Sequence, residues 1–253
     1  MSKFPAILIL LLCTLVMVAP MTPAATPTAP IRVVVLGDSV ASGLNCDCKP
    51  FPHTYAKLIR KKLHRRVAIK NYGISGLTAA NLLNKLNHDS QLANDTARAN
   101  IVIVQIGAND LGSRWNAVNN GACQPANQDC FPRDLAELRS RIEAILNRIT
   151  QLRNGVVRRV LVTGYWNVFE DGPMTYDELG QGFVTRSRNL TRQANQAIFA
   201  GAQSGQALYV DLVGPFFAAG GPRLAGLLGD DGDHPNKAGQ AVIAKALTKA
   251  TTR

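Results

Sequence analysis

Long apolar runs are almost missing from this sequence of 253 residues. The longest, Ala6 to Val18, covers 13 positions, short of the ~20 that a membrane-crossing helix requires. It follows Lys3, the only charge among the first 30 residues, and leads to small residues at Thr22 to Ala25. That layout reads as a signal peptide over 1–25, a short Pro/Thr/Ala linker over 26–30 and a working domain over 31–253. An uncleaved anchor is the competing reading, and the shortness of the run argues against it. Leu10, Leu11 and Leu12 before Cys13 argue against a lipoprotein signal. The expectation is a secreted or otherwise extracytoplasmic protein with no stable membrane span once the signal is removed.

Cysteine is scarce as well: there are five, and loss of Cys13 with the signal leaves Cys46, Cys48, Cys123 and Cys130. An even set in an oxidising compartment points to disulfides. Cys123 with Cys130 is the favoured pair, because it closes a short loop of turn-forming residues. Cys46 with Cys48 bridges a single residue and is the less certain pair, so cross-pairing with the other loop stays open. A Cys-x-Cys followed at long range by Cys-x6-Cys does not have structural-zinc spacing.

Acidic residues are few, 17 against 28 Lys and Arg, which gives a formal charge of +11. Many of the basic residues, among them Lys57, Arg60 and Lys61 and then Arg139, Arg141 and Arg148, fall at helical spacing between apolar ones. That pattern describes a solvated helix face, and it equally suits attraction to an anionic lipid or acidic polymer. There is no interleaving of aromatic and basic residues and no nucleic-acid motif, so nucleic acid is not expected as a partner. The turn after the first strand lacks Gly-x-Gly-x-x-Gly, which counts against dinucleotide binding. No internal repeat or low-complexity tract occurs. With 46% hydrophobic and 18% charged residues, the composition is that of a domain with a real core.

What the sequence does contain is an alternation. Short β-branched runs at Arg32–Leu36, Val67–Asn71, Ile101–Ile106, Arg159–Thr163 and Ala207–Val210 read as strands. Apolar residues recur every three or four positions at Tyr55–Leu63, Ala79–Leu86, Asp134–Leu152, Glu178–Gln203 and Lys237–Lys249. This predicts an α/β fold of three α/β/α layers, a flavodoxin-like five-stranded parallel sheet with helices on both faces. The continuous apolar run Ile101-Val102-Ile103-Val104 fits a strand buried on both sides. Ligands of such sheets sit beyond the carboxyl ends of the strands, so the residues just after each strand become the candidates. The segments Gly112 to Pro132 and Leu212 to Asp233 read as two long loops, of a length more usual for lids or binding loops.

After the first strand comes Gly37-Asp38-Ser39-Val40. A serine here is exposed by the turn, and it is also a good helix N-cap. To act as a nucleophile it needs a base, and His234 is available in Asp230-Asp231-Gly232-Asp233-His234-Pro235, just before the last helix. Asp231, three residues upstream, suits a tight turn that orients the imidazole and stabilises its charged form. The other aspartates suit helix capping. His53, His64 and His88 have no comparable setting and read as surface residues. The third strand runs into Gly107-Ala108-Asn109-Asp110 and the second into Tyr72-Gly73-Ile74-Ser75-Gly76, both placed to offer hydrogen-bond donors to a developing oxyanion.

In this order the blocks resemble those of the SGNH, or GDSL-type, esterases and lipases: Gly37-Asp38-Ser39-Val40, Asn71-Tyr72-Gly73, Gly107-Ala108-Asn109-Asp110 and Asp231-Gly232-Asp233-His234-Pro235. The resemblance spans Ile31 to Leu247, with Val40 where the family usually has leucine. It implies Ser39 as nucleophile, His234 as base and then acid, and Asp231 as its orienter. The oxyanion donors would be the Ser39 and Gly73 backbones and the Asn109 side chain, with Asp38 supporting the turn. It implies no metal or organic cofactor. The expected reaction is hydrolysis of a carboxylic ester, of a small-molecule or lipid acyl ester, through an acyl-enzyme. Polysaccharide O-deacetylation, thioester hydrolysis and a catalytically silent binding protein on the same fold are the alternatives. Phe216-Phe217-Ala218-Ala219 would line an acyl pocket or belong to the core.

Overall fold

The computed structural model describes residues 29–124, 130–155, 159–167 and 169–252. Residues 1–25, expected as a signal peptide, and 26–28 of the linker lie outside them. In chain order the elements are β1 (Ile31–Gly37), α1 (Ser39–Ser42), α2 (Phe51–Leu63), β2 (Val67–Gly73), α3 (Ala79–His88), α4 (Ser90–Ala97), β3 (Ile101–Gln105), α5 (Ala108–Leu111), α6 (Trp115–Asn119), α7 (Pro132–Leu152), β4 (Val160–Thr163), α8 (Gly172–Glu178), α9 (Gly180–Ser204), β5 (Leu208–Val210), α10 (Val213–Gly220) and α11 (Lys237–Thr251).

The strands form one sheet in the order β2-β1-β3-β4-β5, and every pairing is parallel. β1 and β3 are completely or almost completely buried except at Arg32. This is why their β-branched runs do not alternate with polar residues. β2, at the edge, alternates between half-buried and exposed residues. On one side of the sheet α2 packs on α11, and on the other α7 packs on α3 and α9. The result is the three-layer α/β/α arrangement with the flavodoxin-like strand order expected from the sequence.

The two long loops differ from expectation. Gly112 to Pro132 begins with a 3-10 turn and then α6, and Leu212 to Asp233 contains α10 and a second 3-10 turn. In α10 the Gly and Pro signals read as loop, yet Pro215 sits in the first turn, where a backbone N–H has no intrahelical acceptor to lose. α4 was also hidden, because its sequence SQLANDTA buries little apart from Leu92, Asp95 and Thr96. The disulfides are Cys46–Cys48 and Cys123–Cys130, so the cross-paired alternative is excluded. No helix among the described residues is long and apolar enough to cross a membrane.

Candidate active site

The strand order reverses between β1 and β3, and both deliver their following residues to the same carboxyl edge. β1 ends at Gly37, and Asp38 then caps α1 by accepting the Val40 N–H through Oδ1 at 3.0 Å. The cap is therefore Asp38 rather than Ser39. Ser39 becomes the first helical residue, with its hydroxyl outside the helix and its N–H among those that have no intrahelical acceptor. The Asp38 carboxyl is fully buried, and Tyr165 donates its phenol to Oδ2 at 2.6 Å. Burial is the larger influence and lifts the Asp38 pKa to about 6, although both hydrogen bonds pull the other way.

β2 brings Gly73 against this turn. A Cβ on Gly73 would lie 2.4 Å from the Ser42 backbone nitrogen and 2.6 Å from the Ala41 carbonyl carbon, so only glycine fits. Asn71 fastens the seam: its Nδ2 donates to the Ala41 carbonyl at 2.7 Å, and its Oδ1 accepts the Gly73 N–H at 3.1 Å. The Gly73 N–H is thus already shared with a side chain. On the other side, β3 leads through Gly107, at φ +130°, into α5. Asn109 donates one amide hydrogen to the Leu77 carbonyl at 3.0 Å, which fixes the side chain and leaves the second N–H. Asp110 accepts from the Ala79 N–H and from Arg141, locking α5 to α3 and α7.

The segment before α11 supplies the histidine. His234 Nε2 lies 2.8 Å from Ser39 Oγ, and Nδ1 lies 2.8 Å from Asp231 Oδ2. The Asp231 Oδ1 also accepts the His234 backbone N–H at 3.1 Å, closing the three-residue turn. Asn45, in the loop after α1, donates to Asp231 Oδ2 as well. Asp233 lies against Nδ1 as an ion pair. The ring nitrogen thus faces both carboxylates, and Asp231 also holds the His234 backbone. Burial opposes a charged imidazole, but the two carboxylates outweigh it and raise the His234 pKa to about 9. Asp231 is held below the usual carboxylate range: burial pushes it up, and the hydrogen bonds from Asn45 and His234 more than offset this. Asp233 is pushed up, chiefly by burial.

Asp231, Asp233 and His234 each offer a donor atom, all within 4.8 Å of one another. In this set the imidazole Nδ1 is already committed to Asp231. His53, His64 and His88 are exposed, as expected.

Ser39, Asn109 and His234 open into a cleft of about 280 Å³, whose other walls include Trp115, Phe169, Glu170 and Asp233. The Phe216–Ala219 run is not among them. Phe216 is buried, stacked on Trp166 at 4.4 Å, and Phe217 is exposed. Sequence reasoning missed Asn45, Tyr165 and Gln240. Gln240 on α11 accepts the Phe51 N–H and donates to the Val40 carbonyl, tying the histidine-bearing end of the chain to the serine turn. Each of these residues meets its partner across more than a hundred positions, so no local pattern marks it.

The chain matches the model of the GDSL-like Lipase/Acylhydrolase family over residues 35–242. No curated protein matches it in sequence. Among solved structures it is similar to the lipase Lip_vut3 from goat rumen metagenome, at 19% identity and a TM-score of 0.65, covering 87% of this chain and 97% of that one. It is similar to LAE5, an alpha/beta hydrolase from the metagenome of Lake Arreo, Spain, at 19% and 0.61, covering 88% and 96%. The acetylxylan esterase Axe2 from Geobacillus stearothermophilus gives 16% and 0.62, covering 88% and 94%.

Proposed function

The chain belongs to the GDSL-like lipase/acylhydrolase family, which makes it a carboxylic ester hydrolase, and from that premise we propose that Ser39, His234 and Asp231 carry the reaction. The observation behind this is the unbroken line from Ser39 Oγ through His234 Nε2 and Nδ1 to Asp231 Oδ2, with both links at 2.8 Å. With neutral His234, Nδ1–H donates to Asp231 and Nε2 accepts from Ser39. The Ser39 oxygen attacks the ester carbonyl while His234 takes its proton, and Asp231 stabilises the imidazolium. The tetrahedral oxyanion is met by the Ser39 N–H and the free Asn109 N–H, with Gly73 sharing its N–H between Asn71 and the oxyanion. Collapse expels the alcohol, protonated by His234. Water, activated by the same imidazole, then releases the acid from the acyl-serine.

The cleft sits near the small end of ligand-site volumes, roughly 300–1,000 Å³, so short acyl groups are the proposed substrates. Two carboxylates, Glu170 and Asp233, line it and disfavour anionic esters. O-acetyl groups on a polysaccharide satisfy the same demands and are the second reading, in line with the likeness to an acetylxylan esterase. Export through a signal peptide at 1–25 belongs to the same proposal, supported by the two disulfides. So does an anionic surface as a partner. Lys57, Arg60, Lys61, His64, Arg65 and Arg66 line one concavity that contains no carboxylate.

Hydrolysis of p-nitrophenyl acetate, butyrate and dodecanoate tests the reading, with Ser39→Ala and His234→Ala beside the wild type. Turnover should favour the short esters and fall by about 10⁴-fold or more in both variants. A wild type that neither hydrolyses these esters nor accepts a phosphonate would overturn it in favour of a silent binding protein.

A further inference from the structure

A second cavity, of about 460 Å³ and larger than the catalytic cleft, opens at the carboxyl ends of β4 and β5. It shares no lining residue with the cleft. The turn between them faces both ways: Phe169 and Glu170 wall the cleft, and Asp171 walls the cavity. Trp166, Phe199, Tyr209 and Phe217 line it, with Phe199 edge-on to Tyr209 at 5.3 Å. Phe199 is 42% exposed and Phe217 57% exposed, so two aromatic rings are left half in water around one apolar hollow. Exposed apolar surface gathered around a concavity is a mark of a ligand site.

The charges in the lining are not balanced alike. Arg188 is held by Asp171 through two hydrogen bonds, at 2.7 and 2.9 Å. Asp211 has no cationic partner among the described residues, and its two oxygens accept the Val213 and Gly214 N–H groups at the start of α10. Among the described residues Arg192 has only neutral partners, Asn189 Oδ1 at 2.7 Å and Gln196 Oε1 at 3.3 Å. Arg192, exposed and without a carboxylate partner among the described residues, stands beside an aromatic hollow, a pairing that suits a ligand apolar along its length and anionic at one end.

We propose that this cavity binds a single-chain aliphatic carboxylate, with its head on Arg192 and its chain among Trp166, Phe199, Tyr209 and Phe217. Acids released by ester cleavage belong to this class, the short ones as its smallest members, and this link to catalysis rests on the ester-hydrolase reading of the Ser39 cleft. The site itself does not use the triad, so occupancy is independent of Ser39.

The sequence contains two tryptophans, Trp115 in the cleft and Trp166 in the cavity, so fluorescence reports each site separately. Dodecanoate and dodecanol, both below their aggregation limits, are titrated into the mature chain as Trp115→Phe and as Trp166→Phe, each with and without Arg192→Gln or Phe217→Ser. Saturable change should appear in the Trp115→Phe protein, which keeps Trp166. Arg192→Gln should weaken dodecanoate by about tenfold or more, the scale of a charge-assisted hydrogen bond, and leave dodecanol unchanged. Phe217→Ser should weaken both. Hydrolysis of p-nitrophenyl acetate by the single variants Arg192→Gln and Phe217→Ser should match the wild type, which also reports that they fold. Signal from Trp115 alone, or dodecanoate binding indifferent to Arg192 and Phe217, would overturn the proposal. Binding with the expected pattern in a protein that hydrolyses no ester would keep the site and remove its link to catalysis.

Discussion

At the scale of single residues, two carboxylates press on one imidazole nitrogen and do different work. Asp231 holds His234 by hydrogen bonds to both its ring and its backbone, whereas Asp233 meets the ring. Because the pKa of His234 stands at about 9, the neutral base is the minor form at pH 7. The kcat/KM of the wild type should therefore rise with pH to a midpoint near 9. Asp233→Asn should move that midpoint down, since one charge favouring the imidazolium is gone, and leave most of the rate at high pH. Asp231→Asn should lower kcat by about 10⁴-fold, because the ring then loses the acceptor that sets its tautomer. Equal losses in the two variants would contradict this division of labour.

Asp38 offers a second residue-scale test. Its carboxyl titrates at about 6 in the folded protein against 3.8 unfolded, so between those values the native state holds the proton more tightly. Its contribution to stability therefore declines by roughly 3 kcal/mol as pH rises from about 4 to about 6 and is constant above. The difference in Tm between Asp38→Asn and the wild type should shift in favour of the variant across that window and then level off. A difference independent of pH would show that the carboxyl titrates normally.

Among the elements, the seam between α1 and β2 positions the nucleophile. Gly73→Ala would drive a methyl group into the Ser42 nitrogen and the Ala41 carbonyl carbon, which are backbone atoms with nowhere to go. Overpacking of this kind costs about 1–3 kcal/mol, and here it also displaces the Ser39 turn. The expected result is a lowered Tm with a larger proportional loss of kcat. A fully active, fully stable Gly73→Ala protein would refute the close approach.

The same elements show what the sequence made legible. The buried strands announce themselves through unbroken β-branched runs, and the long helices α7, α9 and α11 through their apolar spacing. α4, α6 and α10 escaped notice because they are short, polar or opened by Gly and Pro. The predicted helix Glu178–Gln203 is α9, which starts at Gly180 with φ +78°, and the short α8 before it was not expected. In the candidate site, Ser39, Asp231 and His234 were readable because each lies in a short motif at a strand end or helix start. Tyr165, Asn45 and Gln240 were not, since their meaning comes only from partners 127, 186 and 200 positions away.

On the scale of the whole molecule, the cleft and the basic concavity occupy opposite ends of the sheet. Ser39, Asn109 and His234 gather beyond the carboxyl ends of β1 and β3. Lys57, Arg60, Lys61, His64, Arg65 and Arg66 run from the middle of α2 to the residue before β2, toward the amino end. An anionic surface held by these residues would leave the catalytic cleft facing away from it. Phosphatidylglycerol vesicles should therefore retain the wild type at low ionic strength and release it as salt rises, because exposed charges are screened over about 8 Å at physiological strength. Arg60→Glu with Arg65→Glu should abolish retention without changing hydrolysis of a soluble ester. Retention unaffected by the double variant would reduce the basic residues to a solvated helix face.

The central claim is that the hydroxyl of Ser39, activated by His234, is the attacking group. Its most direct test is a fluorophosphonate reacted with the mature protein at high pH and located by peptide mass spectrometry. One adduct per chain on Ser39, absent from Ser39→Ala and strongly slowed in His234→Ala, is the predicted result. An adduct on another residue, or ester hydrolysis that persists undiminished in Ser39→Ala, would contradict it.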